Sequence, residues 1–308
     1  MVAPAFEYVA AGSYDEAVRL LADGGDEAKI LAGGQSLMPM LNLRFSHPGL
    51  LIDINAADDR EPFVTGSVLR LPALTRHRVL LEHDLVRRHC PLLTAAVWHV
   101  GNVRVRNRGT VGGSLAHADP TSEIGSAALA ADARVVVRGP GGERTVPVAE
   151  LFESYWSTTL AESEIITDVL IPVAGPRQGW SFHEMVRRTS DFAIVAVAAM
   201  VELDEEVDTI AATRVALAGV ADRALLADPG LLGGLTGVNG SMLGGVASAG
   251  GTGDGVGGAA GAAAAAIADS LEPVDDVHAS ADYRRRLVRV LVARALREAY
   301  ADAAGRVA

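Results

Sequence analysis

Apolar positions along the chain change their period several times, and each change marks an element. Ser13 followed by Glu16 is a capping box that opens a short helix through Ala17, Leu20 and Leu21, ended at Gly24-Gly25. Lys29 to Ala32 then reads as a buried strand and Leu50 to Ile54 as another, so the first unit is β-α-β, and the pattern breaks around Asp58 to Pro62. A second unit begins near Phe63. Val68 to Leu71 alternates as a strand, Thr75 to Val86 and Pro91 to Val100 read as helices, and Asp119-Pro120 supplies the N-cap and first turn of a helix through Ile124 and Leu129. Ala133 to Val137 and Arg144 to Val148, joined through Gly139-Pro140-Gly141-Gly142, form a hairpin, and Glu164 to Ile171 adds a strand before Pro172.

From Gly179 the pattern changes again. Strands are predicted at Phe182 to Arg187 and Thr213 to Ala218, and between them the apolar run Phe192 to Leu203 reads as helix then strand. A helix from about Ala281 to Ala304 carries an apolar face of Leu287, Val288, Leu291, Val292 and Ala295, with Arg284, Arg285, Arg289 and Arg297 mainly elsewhere. Fourteen of the 33 glycines fall from Gly230 to Gly261 with almost no charge, so this stretch (about 229–261) is expected to be a surface loop that cannot repay its ordering entropy. Two α+β units followed by an α+β cap is the expected architecture, with divisions near residues 58 and 176.

Two glycine doublets stand out within this frame: Ala32-Gly33-Gly34-Gln35-Ser36 and Thr110-Val111-Gly112-Gly113-Ser114. A doublet after an apolar or β-branched run is by itself a tight turn. Two of them can also form paired nests, with backbone N–H groups converging where no Cβ blocks the approach of a diphosphate. Neither doublet has the Lys of a P-loop or the G-x-G-x-x-G spacing of a Rossmann turn.

The strings Leu31 to Arg44 (LAGGQSLMPMLNLR) and Arg106 to Glu123 (RNRGTVGGSLAHADPTSE) resemble the two FAD-binding segments of the flavoprotein (medium) subunit of molybdenum hydroxylases. That group includes the medium chain of carbon monoxide dehydrogenase and its xanthine dehydrogenase relatives. Arg187 to Ala193 and Val274 to Arg286 resemble the start and end of the family's C-terminal domain, so the likeness spans almost the whole chain. It implies a two-subdomain FAD-binding fold of the p-cresol methylhydroxylase type, class α+β, over residues 1–176 (subdomains about 1–58 and 59–176). A smaller α+β domain over 177–308 would follow.

The resemblance further implies non-covalent FAD, with Ala32, Gly33, Gly34, Gln35, Ser36 and Leu37 on one side of its diphosphate and Thr110, Val111, Gly112, Gly113 and Ser114 on the other. Ala118, Asp119 and Glu123 would lie near the flavin or its ribityl chain, and Asp191 and Phe192 beside the ring. Two positions depart from the family pattern: Ser114, where Asn is common, and Ser190, where Gly is common. No catalytic side chain of this chain's own is implied. Substrate oxidation would occur at molybdenum on a large partner, with iron–sulfur clusters on a small partner, in an (αβγ)₂ assembly. The substrate and the final acceptor are left open.

Composition narrows the alternatives. The net charge of −11 argues against a nucleic-acid groove. A single cysteine, Cys90, is too few for an iron–sulfur cluster or a disulfide within the chain, and reads as a small buried hydrophobe. Met1-Val2-Ala3-Pro4 has no basic stretch ahead of an apolar run, and the longest apolar stretch, Ala259 to Ala268, is far short of a membrane span, so a cytoplasmic chain is expected. Ser114, His117 and Asp119 have the residue types of a hydrolase triad but no nucleophile elbow, and His117 with Asp119 lacks further metal ligands. Arg104, Arg106 and Arg108 alternate ahead of the second doublet, which suits either a solvated strand face or positive charge offered to a diphosphate or a partner. The alternatives to an electron-transfer subunit are a free-standing flavin oxidase or dehydrogenase of the same fold and a non-catalytic nucleotide-binding scaffold.

Overall fold

The computed structural model describes residues 3–205, 208–244 and 257–307. It begins with strand β1 (Glu7–Ala10), helix α1 (Tyr14–Gly24), strand β2 (Ala28–Leu31), helix α2 (Leu37–Asn42) and strand β3 (Leu50–Asp53). β1 and β2 flank β3 and both run parallel to it. The cap of α1 forms as the sequence requires: Ser13 Oγ accepts from Glu16 N–H at 3.2 Å, while the Glu16 carboxylate reaches back to Gly12 N–H at 2.8 Å. Tyr14, Ala17, Val18 and Leu21 are the buried face of α1, in one cluster with Ile52 and Ile54.

Next come β4 (Phe63–Thr65), β5 (Val68–Pro72), and six helices: α3 (His77–Glu82), α4 (Asp84–His89), α5 (Pro91–His99), α6 (Val103–Arg108), α7 (Val111–His117) and α8 (Glu123–Ala130). The strands β6 (Arg134–Gly139), β7 (Gly142–Pro147) and β10 (Ile165–Pro172) complete an antiparallel sheet in the order β4-β5-β10-β6-β7, and β8 (Phe152–Ser154) with β9 (Ser157–Thr158) makes a separate small hairpin.

Three expectations are corrected in this region. The helix expected over Thr75 to Val86 is two helices, divided at His83, whose backbone is extended (ψ 124) and whose ring nitrogen caps α4 by accepting from Leu85 N–H. Arg104, Arg106 and Arg108 lie on a helix and not a strand, because Asn102 Oδ1 caps α6 by accepting from Arg104 and Val105 N–H. The cap of α8 is Ser122, whose Oγ accepts from Gly125 N–H at 3.0 Å, and Asp119 instead closes a turn onto Thr121.

A third sheet, β11 (Gln178–Met185), β12 (Val195–Leu203), β13 (Ile210–Ala218) and β14 (Leu225–Leu226), is antiparallel throughout and is followed by α9 (Pro229–Leu232), α10 (Gly258–Ser270) and α11 (Ala281–Val307). One face of β12 and β13 (Ala196, Ala198, Ala216, Ala218) shares a core with α8, while the other (Val195, Val197, Val215, Leu217) shares one with α10 and α11. The expected helix before β12 is absent. Burial on both faces replaces alternation by a continuous apolar run.

The glycine-rich stretch is also not simply a loop. Residues 245–256 lie outside the described residues, but Leu232, Leu235, Val238, Leu243, Ala260 and Ala264 are buried, and the alanines of α10 pack on α11. Arg284 and Arg297 of α11 are buried rather than solvated. Arg284 donates to the carbonyls of Ile194 and Gly219 and pairs with Asp276 at 2.6 Å, and Arg297 donates to the carbonyls of Leu243 and Gly257. Cys90 is buried, and burial pushes its thiol up to about 12, so it stays an uncharged hydrophobe. No helix among the described residues is long and apolar enough to cross a membrane.

Candidate functional site

The first doublet follows β2 directly. Gly34 is left-handed (φ 72), the region that glycine enters without a Cβ penalty, and the chain then enters α2 at Leu37. Gly33 is required for another reason: a Cβ there would lie 2.3 Å from the carbonyl oxygen of Arg108 and 2.8 Å from Gly109 Cα, backbone against backbone. Among the described residues no acceptor partners the N–H groups of Gly34, Gln35, Ser36 or Leu37, and Ser36 makes no side-chain cap. Gln35 turns its amide onto the carbonyl of Gly33 at 3.1 Å. Asn55 fixes the turn from behind, donating to Ala32 O at 2.9 Å and to Asp53 at 2.6 Å, and Arg76 links Asn55 Oδ1 to the Arg108 carbonyl.

The second doublet is not a nest. Thr110 is the N-cap of α7, and Gly112 and Gly113 are ordinary helical residues. The N–H groups of this segment are already used: Val111 donates to Thr75 O, Gly112 to Ala73 O, Gly113 to Thr110 Oγ1 and Ser114 to Thr110 O. The glycine at 112 serves close approach, since its Cβ would sit 2.5 Å from that of Ala73. Ser114 Oγ lies 3.0 Å from Nε2 of His77, a residue buried behind the second segment that sequence reasoning missed. Burial pushes the His77 imidazole down to about 4, so it is neutral near pH 7. His117 and Asp119 are 4.0 Å apart and Ser114 pairs with neither, so the triad reading has no geometry behind it.

Ala32 alone of the first segment, with Thr110, Gly112, Gly113 and Ala116 of the second, lines a small and mainly apolar cavity of about 80 Å³, together with Ile30, Ile54, Leu160, Ile165 and Ile166; Gly33 to Leu37 lie outside it. Leu160, Ile165 and Ile166 come from the end of the second unit and were not singled out in the sequence. A short signal exists for two of them, the apolar pair Ile165-Ile166 that starts β10.

Ala118 ends α7 in the left-handed region (φ 51) and sets up the turn in which Asp119 Oδ1 accepts from Thr121 N–H and Oγ1 at 2.8 and 2.6 Å. Glu123 opens α8. Burial, with the nearby carboxylates of Glu184 and Asp119 adding to it, pushes its carboxyl up to about 7. Glu184 pairs with His99 at 3.1 Å, and the His99 ring packs on Phe182, so this carboxylate group sits where the second and third sheets meet. Asp191 and Phe192 lie in the connection between β11 and β12, Phe192 being 74% exposed, and no hydrogen bond or ring contact among the described residues joins them to the glycine segments. Ser190 has φ 71, which accounts for the usefulness of glycine at that position.

Residues 4–174 match the family described as the FAD binding domain in molybdopterin dehydrogenase, and residues 180–229 and 258–299 match the CO dehydrogenase flavoprotein C-terminal domain. The chain belongs to the FAD-binding subunits of the molybdopterin dehydrogenases. Within that family it is 38% identical to subunit alpha of the 6-hydroxypseudooxynicotine dehydrogenase complex of Paenarthrobacter nicotinovorans, over 97% of this chain and 96% of that one. It is 35% identical to the carbon monoxide dehydrogenase medium chain of Hydrogenophaga pseudoflava, over 99% of this chain and 100% of the relative. The solved carbon monoxide dehydrogenase of Hydrogenophaga pseudoflava lacking the Mo-pyranopterin moiety superposes with a TM-score of 0.89 at 35% identity, covering 98% of this chain and 99% of that one. These relatives are subunits of oxidoreductases, and the α+β fold expected from the sequence is the fold found.

The residues present fit FAD, though unequally. Four unpartnered N–H groups at the start of α2 are a donor set for phosphate oxygens. The second segment brings a Cβ-free wall and a hydroxyl rather than amides.

Proposed function

We propose that this chain holds FAD non-covalently where its two glycine segments meet and acts as the electron-transfer flavoprotein of a molybdenum hydroxylase. It would take electrons from iron–sulfur centres on a small partner and pass them to an external acceptor, while a large partner oxidises the substrate at molybdenum. We place two copies of each chain in the assembly, and the assembly in the cytoplasm. Residues 1–176 are the proposed FAD-holding unit, in subdomains of about 1–58 and 59–176, with 177–308 packed on it. The observation that carries this reading is the set of N–H groups from Gly34 to Leu37 left without an acceptor among the described residues, on a turn that packs through Gly33 against the Arg108 and Gly109 backbone leading into the second segment.

FAD, when bound, supplies the redox chemistry. The chain's own residues bind and orient. Gly34, Gln35, Ser36 and Leu37 offer N–H donors to the diphosphate, with Ala32 and Gly33 shaping the turn that aims them. Thr110, Val111, Gly112, Gly113 and Ser114 form the opposite wall. Glu123, protonated over much of the range below pH 7, is able to donate a hydrogen bond to a carbonyl-type acceptor beside Ala118 and Asp119. Phe192, with Asp191, is proposed to cover one face of the flavin ring by stacking. Relatives of similar identity are named for 6-hydroxypseudooxynicotine and for carbon monoxide, which supports a substrate site on another chain.

The test is purification of the complex formed when this chain is co-expressed with its genomic neighbours, followed by flavin, iron and molybdenum analysis of the separated subunits. FAD released from this chain, with iron and molybdenum on others, is the expected result. A lone chain whose flavin is reduced directly by a small substrate would overturn it.

A further inference from the structure

Charge is distributed unevenly over this acidic chain. Residues 76–108 hold seven arginines against Glu82 and Asp84, a net charge of +5, so that the remaining residues carry −16 to make −11 overall. The segment forms α3 to α6, in which α4, α5 and α6 all pack on α3, so the arginines belong to one contiguous group of helices.

Pairing is equally uneven. Among the described residues, eleven of the other nineteen arginines lie within 4 Å of a carboxylate. Within the segment only Arg78 does, at 3.9 Å from Glu82. Arg76 and Arg106 are occupied with the carbonyls of Arg108, Val100 and Gly101. Arg87, Arg88, Arg104 and Arg108 are exposed and make no salt bridge among the described residues. In the same segment Trp98, near the end of α5, is 69% exposed and Val103, at the start of α6, 61%.

Unpaired arginine together with exposed tryptophan and valine is the composition of a protein interface, where Trp and Arg supply anchors and charge steers the encounter. We propose that the outer face of α3 to α6 docks an acidic surface of the iron–sulfur protein that supplies electrons, an inference that rests on the function proposed above. α6 runs straight into Gly109 and Thr110, so this face borders the glycine segments. A nucleic acid is disfavoured because an extended polyanion would run past the four exposed arginines onto the rest of the chain, which carries −16, whereas an acidic protein patch need only match the local face.

The experiment uses the co-expressed complex and its triple variant R87Q/R88Q/R104Q, with W98A as a second variant; none of the four residues lines the cavity. Affinity of the flavoprotein for the co-expressed iron–sulfur protein is measured by titration at low and moderate salt, with FAD content as the folding control. The triple variant is expected to lose about tenfold in affinity at low salt and to lose most of the salt dependence of the wild type, and W98A to lose about tenfold at both salts. A flavoprotein that keeps FAD and assembles equally well with all three glutamines and with W98A overturns the docking surface while leaving the proposed function standing. A chain that holds no FAD or meets no iron–sulfur protein overturns both. Binding of a DNA duplex that disappears in the triple variant would reassign the face to a polyanion.

Discussion

At Gly33-Gly34 the chain leaves a parallel strand, passes through one left-handed residue and presents four N–H groups that nothing among the described residues accepts. At Gly112-Gly113 it begins a helix whose first N–H groups are all taken, by the carbonyls of Thr75, Ala73 and Thr110 and by the Thr110 hydroxyl. The two doublets share letters and their segments meet at one cavity, yet one supplies donors and the other supplies space. Glycine is needed in both for close approach, Gly33 against the Arg108 carbonyl and Gly112 against Ala73. Convergent glycine motifs therefore need not make equivalent halves of a binding site.

The sharpest way to break this comparison is Gly33→Val beside Gly113→Ala. At 33 the new Cβ would have to displace backbone from 2.3 Å, separating the segments, whereas at 113 it would meet only the Thr110 hydroxyl at 2.7 Å. Overpacking of the first kind costs roughly 1–3 kcal/mol and moves the turn that presents the N–H groups, so FAD affinity is expected to fall by about 100-fold or more, with a lower Tm. Gly113→Ala is expected to keep FAD within a few-fold, because no backbone has to move and the roughly 1 kcal/mol by which alanine favours the helix offsets much of what is lost when the capping Thr110 hydroxyl yields. Fluorescence titration of FAD into both variants decides it, and equal losses would return the second doublet to the role of a nest.

A second difference is electrostatic. His77, behind the second doublet, is held neutral down to about pH 4, whereas an unfolded chain protonates it near 6.5. The unfolded state therefore binds the extra proton in that window. The stabilisation is complete above about pH 6.5 and is lost as pH falls through the window, by roughly 3 kcal/mol at its lower end. Glu123 acts in the opposite sense, since its carboxyl holds a proton up to about 7 when folded and an unfolded glutamate releases it near 4.5. Its contribution is complete below the lower value and disappears as pH rises through 7. Denaturant titrations between pH 4.5 and 7.5 should show His77→Gln flattening the acid-side loss and Glu123→Gln flattening the loss towards pH 7. Parallel curves for wild type and His77→Gln would remove the burial argument.

The elements legible in the sequence are those whose signals are local. The capping box at Ser13, the hairpin over 134–147 and the left-handed Gly34 each need only neighbouring residues to be recognised. β12 was obscured because both of its faces are buried, and α10 because glycine and alanine leave no hydropathy stripe although they pack closely on α11. Two adjacent glycines disfavour a helix by about 1 kcal/mol each, so the helical start of α7 depends on tertiary hydrogen bonds that no local pattern reveals. His77 is 37 positions from Ser114, and only the folded chain brings the two together.

The smallest effects sharpen the same contrast. Thr110 Oγ1 caps α7 and is buried, so Thr110→Val leaves the Gly113 N–H without an acceptor and should cost about 1–2 kcal/mol with or without FAD. Ser36 is exposed and caps nothing in the protein, so Ser36→Ala should change the FAD-free chain by less than about 0.5 kcal/mol. If its hydroxyl and the N–H groups around it instead serve the diphosphate, the same substitution must lower stability only when FAD is present. Urea titrations of both variants in both forms measure that difference. An Ser36→Ala penalty of equal size in the two forms would show that the first segment, like the second, has its hydrogen bonds committed within the protein.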